Sequence, residues 1–208
     1  MSFIIRLIVL IIIILAVYIL WPRNPDLAKF SPKSVAELEA KAWVAASKAD
    51  AFGSAKSFYI LYDRQFGFPP IASVMLAQSS SRALLLIRRG ADEADQEKAL
   101  PVLTELYTRM KRELGKDWDS PALARRHYSI WLNVANGGKP EDISKLIVDL
   151  WTSVYGSEAG SLTAAAKERA EAMIASAAVM PDGTGDLMTT KSLLDASWEK
   201  VKAAVEKP

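Results

Sequence analysis

The amino-acid sequence predicts an all-α protein: one N-terminal transmembrane helix, then a domain of about six to eight helices packed as a bundle or as helical hairpins. Three observations predict it. An apolar run opens the chain, helix start and stop signals recur along the rest, and the alternating apolar pattern of a half-buried strand is missing while Ala, Leu, Lys and Glu dominate.

The apolar run is residues 3–21, FIIRLIVLIIIILAVYILW. As a helix it rises roughly 28 Å, close to the thickness of a hydrocarbon core. Its single charge, Arg6, lies near the outer end, where a long basic side chain snorkels to the headgroups. Tyr18 and Trp21 stand at the other end, where aromatic rings favour the membrane interface. Pro22 and Pro25 then stop the helix. A cleaved signal peptide has a shorter core and a small-x-small site, and neither is present. The predicted organisation is an anchor over 3–21, a linker over 22–30 and a helical domain over 31–208. Orientation is pulled two ways. An anchor at the extreme N-terminus favours an exported, extracytoplasmic domain, whereas Arg23, Lys29 and Lys33 just beyond it weigh toward a cytoplasmic one.

Helix signals follow in order. Ser31-Pro32 is an N-cap with proline in the first turn, and Val35, Leu38, Ala42 and Ala45 recur at helical steps. A break is expected at Gly53, then a helix through Phe58, Leu61 and Tyr62 to Gly67. Ile71 to Arg89 reads as an unusually apolar helix: the centre of the bundle, or a face that docks a partner or lipid. A helix from Glu93 to Leu114 is kinked at Pro101 or starts later because of it. Ser120-Pro121, Lys139-Pro140, Ser161 and Asp186 open the remaining helices, with glycine turns at 137–138, 156 and 183–185 between them. A weak echo relates Leu103…Tyr107…Met110, Ile147…Trp151…Val154 and Leu193-Leu194…Trp198…Val201 at spacings of 44 and 47 residues. Stacked hairpins produce such a period, and so does any set of similar amphipathic helices.

Composition narrows function. Lys and Arg number 26 against 24 Asp and Glu, giving a net charge of +2 with the two signs interspersed. A phosphate-binding surface needs a basic excess, so nucleic acid is not expected as a partner. With no cysteine, disulfides, thiolate metal sites and thiol catalysis are excluded. The single histidine, His127, falls beside the apolar stripe formed by Ala124, Tyr128 and Trp131. It reads as a structural side chain, with axial ligation of a haem or pigment as the alternative. Carboxylate pairs such as Glu37 with Glu39, and Glu168 with Glu171, read as first-turn or solvent-facing charges. A glycan hydrolase acid at Glu105 or Glu158 is a remote alternative. The turn Asp182-Gly-Thr-Gly-Asp186 fails as a calcium loop, because the positions that require Gly and a bidentate Glu are Leu187 and Leu193. No phosphate-loop or zinc-hydrolase motif occurs.

Aromatic surface remains. Phe58, Tyr59, Tyr62, Phe66 and Phe68 crowd into a dozen residues and span too wide an arc for one α-helical stripe, which marks them as candidate partner-binding anchors. The expectation is a membrane-anchored, non-catalytic helical protein that binds the lipid bilayer and serves a larger membrane complex as an accessory, assembly or scaffold subunit, with no cofactor. The alternative is a helical domain that binds a hydrophobic ligand, pigment or haem.

Overall fold

The computed structural model describes residues 3–20, 23–90, 92–177 and 187–206. It is all-α, with no strand among the described residues. An apolar helix α1 (Phe3–Leu20) precedes α2 (Pro32–Ser47), α3 (Ala51–Ile60), a π-helical segment (Leu61–Gln65), α4 (Pro70–Arg89), α5 (Glu93–Glu97), α6 (Ala99–Leu114), α7 (Ser120–Ala135), α8 (Pro140–Tyr155), α9 (Ala159–Ala177) and α10 (Leu187–Val205).

Local chemistry sets these boundaries. Ser31, Asp50 and Asp119 cap α2, α3 and α7 by accepting from the amides of Ser34, Gly53 and Ala122. Gly115 and Gly156 close α6 and α8 at φ 61° and 70°, where a Cβ would crowd the following carbonyl. Two expected boundaries move. The break expected at Gly53 falls at Ala49, which is left-handed at φ 58°, and Gly53 lies inside α3. A Cβ on Gly53 would sit 2.1 Å from the Asp50 carboxylate, so glycine leaves room for the cap. The helix expected over 93–114 divides at Lys98, which places Pro101 in the first turn of α6, where proline costs no hydrogen bond. The short α5 thereby brings the domain to nine helices among the described residues instead of six to eight.

Eight of these helices close into a ring. Each packs against the next, α2 on α3, α3 on α4, α4 on α6 and so on to α10, and α10 packs back on α2. Short connections make successive helices antiparallel. Specific bonds agree: Arg88 at the end of α4 donates to the Ser176 carbonyl at the end of α9 (2.6 Å), and Arg126 early in α7 donates to Ser153 late in α8 (2.6 Å). Alanines 165, 166, 170 and 172 are fully buried on α9, letting its neighbours approach closely. Ser197 of α10 reaches the Ala165 carbonyl there (2.9 Å).

The sequence echo has a clear place in this ring. Leu103, Tyr107 and Met110 on α6, Ile147, Trp151 and Val154 on α8, and Leu194, Trp198 and Val201 on α10 are all buried. They form the inward stripe of every second helix, so one hairpin sets the period.

The helix α1, expected as an anchor, stands apart. Every described residue of α1 is exposed, from Phe3 at 79% to Tyr18 at 44%, Arg6 included. Trp21 and Pro22, read from sequence as the interface marker and the stop, lie outside the described residues. By length and composition alone, α4 is the helix among the described residues able to cross a bilayer, but 61% of its apolar window is buried in the protein. The described apolar run of α1, Phe3–Tyr18, falls short of that length. The expected linker is not loose. Leu27 and Phe30 are buried in the core, the Asp26 amide donates to the Phe66 carbonyl (2.9 Å), and Lys202 of α10 donates to the Ala28 carbonyl (2.6 Å).

Ala49 carries a Cβ in a left-handed conformation and is exposed. Ala49→Gly relieves that strain, so it is expected to stabilise the fold by about 0.5–1 kcal/mol. The measurement is the unfolding midpoint of the detergent-solubilised chain, which rises in the variant.

Candidate functional site: a buried ion pair in an aromatic cavity

The inward stripes meet around a central cavity of about 160 Å³, lined by side chains from every helix of the ring. Apolar groups make most of its wall. Its polar members are few and come from different elements: Glu39 from α2, Tyr62 from the π segment, Ser80 from α4, Tyr107 from α6, His127 from α7, Tyr155 from α8 and Arg169 from α9.

Glu39 and Arg169 form the centre of this group. They are 130 residues apart in sequence and joined by a two-pronged bond, Nη1 to Oε2 at 2.8 Å and Nη2 to Oε1. The indole Nε1 of Trp198 on α10 donates to the same Glu39 Oε2 at 2.9 Å. Three helices, α2, α9 and α10, therefore converge on one carboxylate. Glu39 is only 6% exposed. The guanidinium of Arg169 is caged by three indole rings, with Cζ at 5.5, 5.4 and 5.4 Å from the ring centres of Trp43, Trp151 and Trp198. A planar, weakly hydrated cation suits such a cage better than a lysine ammonium would. Burial disfavours its charge, yet the field of Glu39 and the hydrogen bonds to it more than compensate, so Arg169 titrates above its usual range.

The other polar walls are held neutral. Burial pushes the His127 imidazole down to about 4, and the positive Arg169 pushes the same way. His127 Nδ1 pairs with the Tyr107 hydroxyl at 3.0 Å. Burial raises the phenols of Tyr62, to about 12, and of Tyr107 and Tyr155. Tyr62 pairs with the Ser80 hydroxyl at 2.8 Å. The cavity is thus an apolar chamber with neutral hydroxyls and one internally neutralised ion pair. It holds a group the size of a benzene ring or a few waters. A haem or chlorin needs a pocket several times larger. Inside the cavity His127 bonds Tyr107 through Nδ1.

The aromatic cluster at 58–68 requires a correction. Phe58, Tyr62, Phe66 and Phe68 are buried, and Tyr59 is partly buried against the core beside Tyr18. Four-residue steps drift by about 40° in an α-helix, which is why they look too widely spread for one face. The π segment winds less per residue and cancels that drift, with the Phe66 amide bonded back to the Leu61 carbonyl (3.3 Å). Tyr62 then packs among Phe58, Phe66 and Phe68 at centroid distances of 6.4, 6.4 and 5.8 Å. These rings build the interior and are not surface anchors. Glu39 is corrected in the opposite sense, from a solvent-facing charge to a buried one. Its signal was present: at 39 it continues the inward face of Val35, Ala36, Trp43 and Ala46. Glu105 and Glu158 are both exposed, so neither is a desolvated acid.

A second polar junction lies where α1 meets the ring. Asp63, buried on the π segment, accepts from Arg23 Nη1 (2.6 Å) and from the Tyr18 hydroxyl (3.3 Å). The Arg23 guanidinium lies 5.0 Å from the Tyr18 ring centre and also donates to the Phe68 carbonyl (3.3 Å). No cluster of three or more metal-ligating side chains occurs among the described residues. No protein-family model, no curated protein and no solved structure matches this chain.

Glu39→Ala strands a buried guanidinium and is expected to cost about 3–5 kcal/mol. The double variant Glu39→Met, Arg169→Met removes both charges and should cost far less than the two single changes together; denaturant unfolding of the detergent-solubilised chain measures the difference. His127 contributes a pH dependence. Its folded pKa of about 4 lies below the ordinary 6.5, so the unfolded chain takes up the proton first and stability falls as pH drops from 6.5 toward 4. Between pH 7 and 4.5 the native chain should lose about 2–3 kcal/mol more than His127→Gln, which keeps a partner for Tyr107.

Proposed function

We propose that this chain is a single-pass membrane protein whose helical ring works as a non-catalytic interaction domain, held at the bilayer as an accessory, assembly or scaffold subunit of a larger membrane complex. One observation carries the reading: α1 is an apolar helix with every described residue exposed, fixed to the ring at its base by Tyr18, Arg23 and Asp63. A dozen exposed aliphatic side chains in water would forgo on the order of 20 kcal/mol of transfer free energy. The hydrocarbon of a bilayer supplies that environment, with Arg6 at one headgroup layer and Tyr18 at the other. On this reading the ring lies on the extracytoplasmic side of that bilayer.

The interior supports a structural use of the polar residues. Glu39 and Arg169 spend their charges on each other, and His127 and Tyr107 spend their hydrogen bonds on each other. What the ring offers to a partner is its outside. A groove of about 750 Å³ runs along α4 between α3 and α6, floored by Leu85, Leu86 and Val102 and edged by Arg82, Arg89 and Arg109. Grooves of this type receive a partner helix or segment.

The test has two arms. In alkaline carbonate extraction the full chain is expected to remain in the membrane pellet, and a chain lacking residues 3–21 to be released. Affinity purification of the full chain in mild detergent is expected to recover an integral membrane protein in stoichiometric amount. Recovery of the chain alone, as a monomer, would overturn the subunit reading.

A further inference from the structure

We propose that the first turns of α4 form a second contact with the membrane, laying Ile71, Val74 and Met75 into the headgroup layer beside the anchor. The inference rests on α1 crossing the bilayer, and it adds how the ring sits on that bilayer.

Ile71 and Val74 are 59% and 45% exposed, and Met75 is exposed beside them. They share one outward row of α4 with Gln78 and Arg82. Along that row the chemistry is graded: three apolar residues, then an amide, then a guanidinium. The apolar end is the end nearest the anchor. Arg23, at the base of α1, donates to the carbonyl of Phe68, three residues before Ile71 and just ahead of the prolines that open α4. The Tyr18 hydroxyl, in the last turns of α1, reaches Asp63 on the π segment leading into α4. The beginning of α4 is thereby held at the level where α1 leaves the hydrocarbon.

The dimensions agree. From Ile71 to Met75 the helix rises about 6 Å, comparable to the roughly 5–8 Å of interfacial layer on each side of a bilayer. Arg82 stands about 16 Å above Ile71, beyond that layer. Charge agrees as well. Arg64, Lys29 and Lys33 are exposed at the same end of the ring, where the Ser31 amide donates to Gln65 (3.1 Å). Lys29 shares its charge loosely with Asp26 at 3.9 Å. Exposed acids stand at this end too, Asp117 and Asp119 in the turn after α6, so the end is of mixed charge, and Arg64, Lys29 and Lys33 are the cations it can turn to anionic headgroups. The large exposed side chains of the ring away from this patch, Phe52 and Met188, sit at the starts of α3 and α10, the opposite end of the antiparallel ring.

The chain has no cysteine, so single-cysteine variants give clean labelling sites. Ile11→Cys, Ile71→Cys and Phe52→Cys, each carrying an environment-sensitive fluorophore, are placed in nanodiscs of phosphatidylcholine and phosphatidylglycerol containing spin-labelled lipids. Shallow quenchers are expected to quench the label at 71 about two-fold or more over the label at 52, and deep quenchers to quench the label at 11. Quenching at 11 with 71 no different from 52 overturns the second contact and leaves the anchor standing. No quenching at 11 overturns the anchor, and this inference with it.

Discussion

The convergence of three helices on the Glu39 carboxylate is the constraint on which the ring depends. Hydrophobic stripes alone bring helices together but allow them to slide, since one α-helix presents a similar apolar surface every few residues. The fork of Arg169 and the indole N–H of Trp198 admit one registry of α2 against α9 and α10. A buried ion pair adds little net stability, because desolvating both charges offsets most of their attraction. Its leverage is positional. Were α9 displaced relative to α2 by one turn, a carboxylate and a guanidinium would lie unpaired among tryptophans, and that penalty separates the closed ring from its neighbours in register. The three indole faces around Arg169 and the edge-on contact of Trp43 with Trp131 (5.3 Å) extend the same lock across the interior.

A single extra residue in a turn has two effects at the base of the molecule. The π segment rotates Tyr62 and Phe66 inward and at the same time presents Asp63 to Arg23 and Tyr18. Aromatic packing and the attachment of α1 thus share one local distortion. The segment that sequence marks as a linker is correspondingly pinned by Leu27, Phe30 and two backbone bonds. The base of α1 is tied to the ring through Tyr18, and Arg23 just after it bonds Asp63 and Phe68.

Much of the fold was legible because it is written locally. Ser31-Pro32, Ser120-Pro121, Gly115 and Gly156 mark helix ends through the chemistry of first and last turns, and these boundaries fall where that chemistry puts them. The repeating aliphatic-aromatic-aliphatic spacing likewise marked the inward stripes of α6, α8 and α10. What was not legible is what arises between distant segments. The spacing of Glu39 with Val35, Ala36 and Trp43 marks it as inward, but nothing near it reveals that Arg169 will meet it 130 residues later. The π segment was hidden for another reason. Periodicity arguments assume 3.6 residues per turn, and a local departure from that value makes an inward cluster look like a surface one. Ala49 shows the reverse risk, since a left-handed turn made without glycine leaves no signal.

Closure of the ring also has a consequence in time. The first helix to follow the anchor, α2, takes its decisive partners from the last two, and Glu39 lies 159 residues before Trp198. At synthesis rates of roughly 5–20 residues per second, Glu39 waits about 8–30 s for that indole. During this interval α2 shows Trp43 and an incompletely bonded carboxylate, in a partial chain that cannot close. The head of this protein is therefore a late-locking assembly. Nascent or truncated chains expose a face that the finished molecule hides.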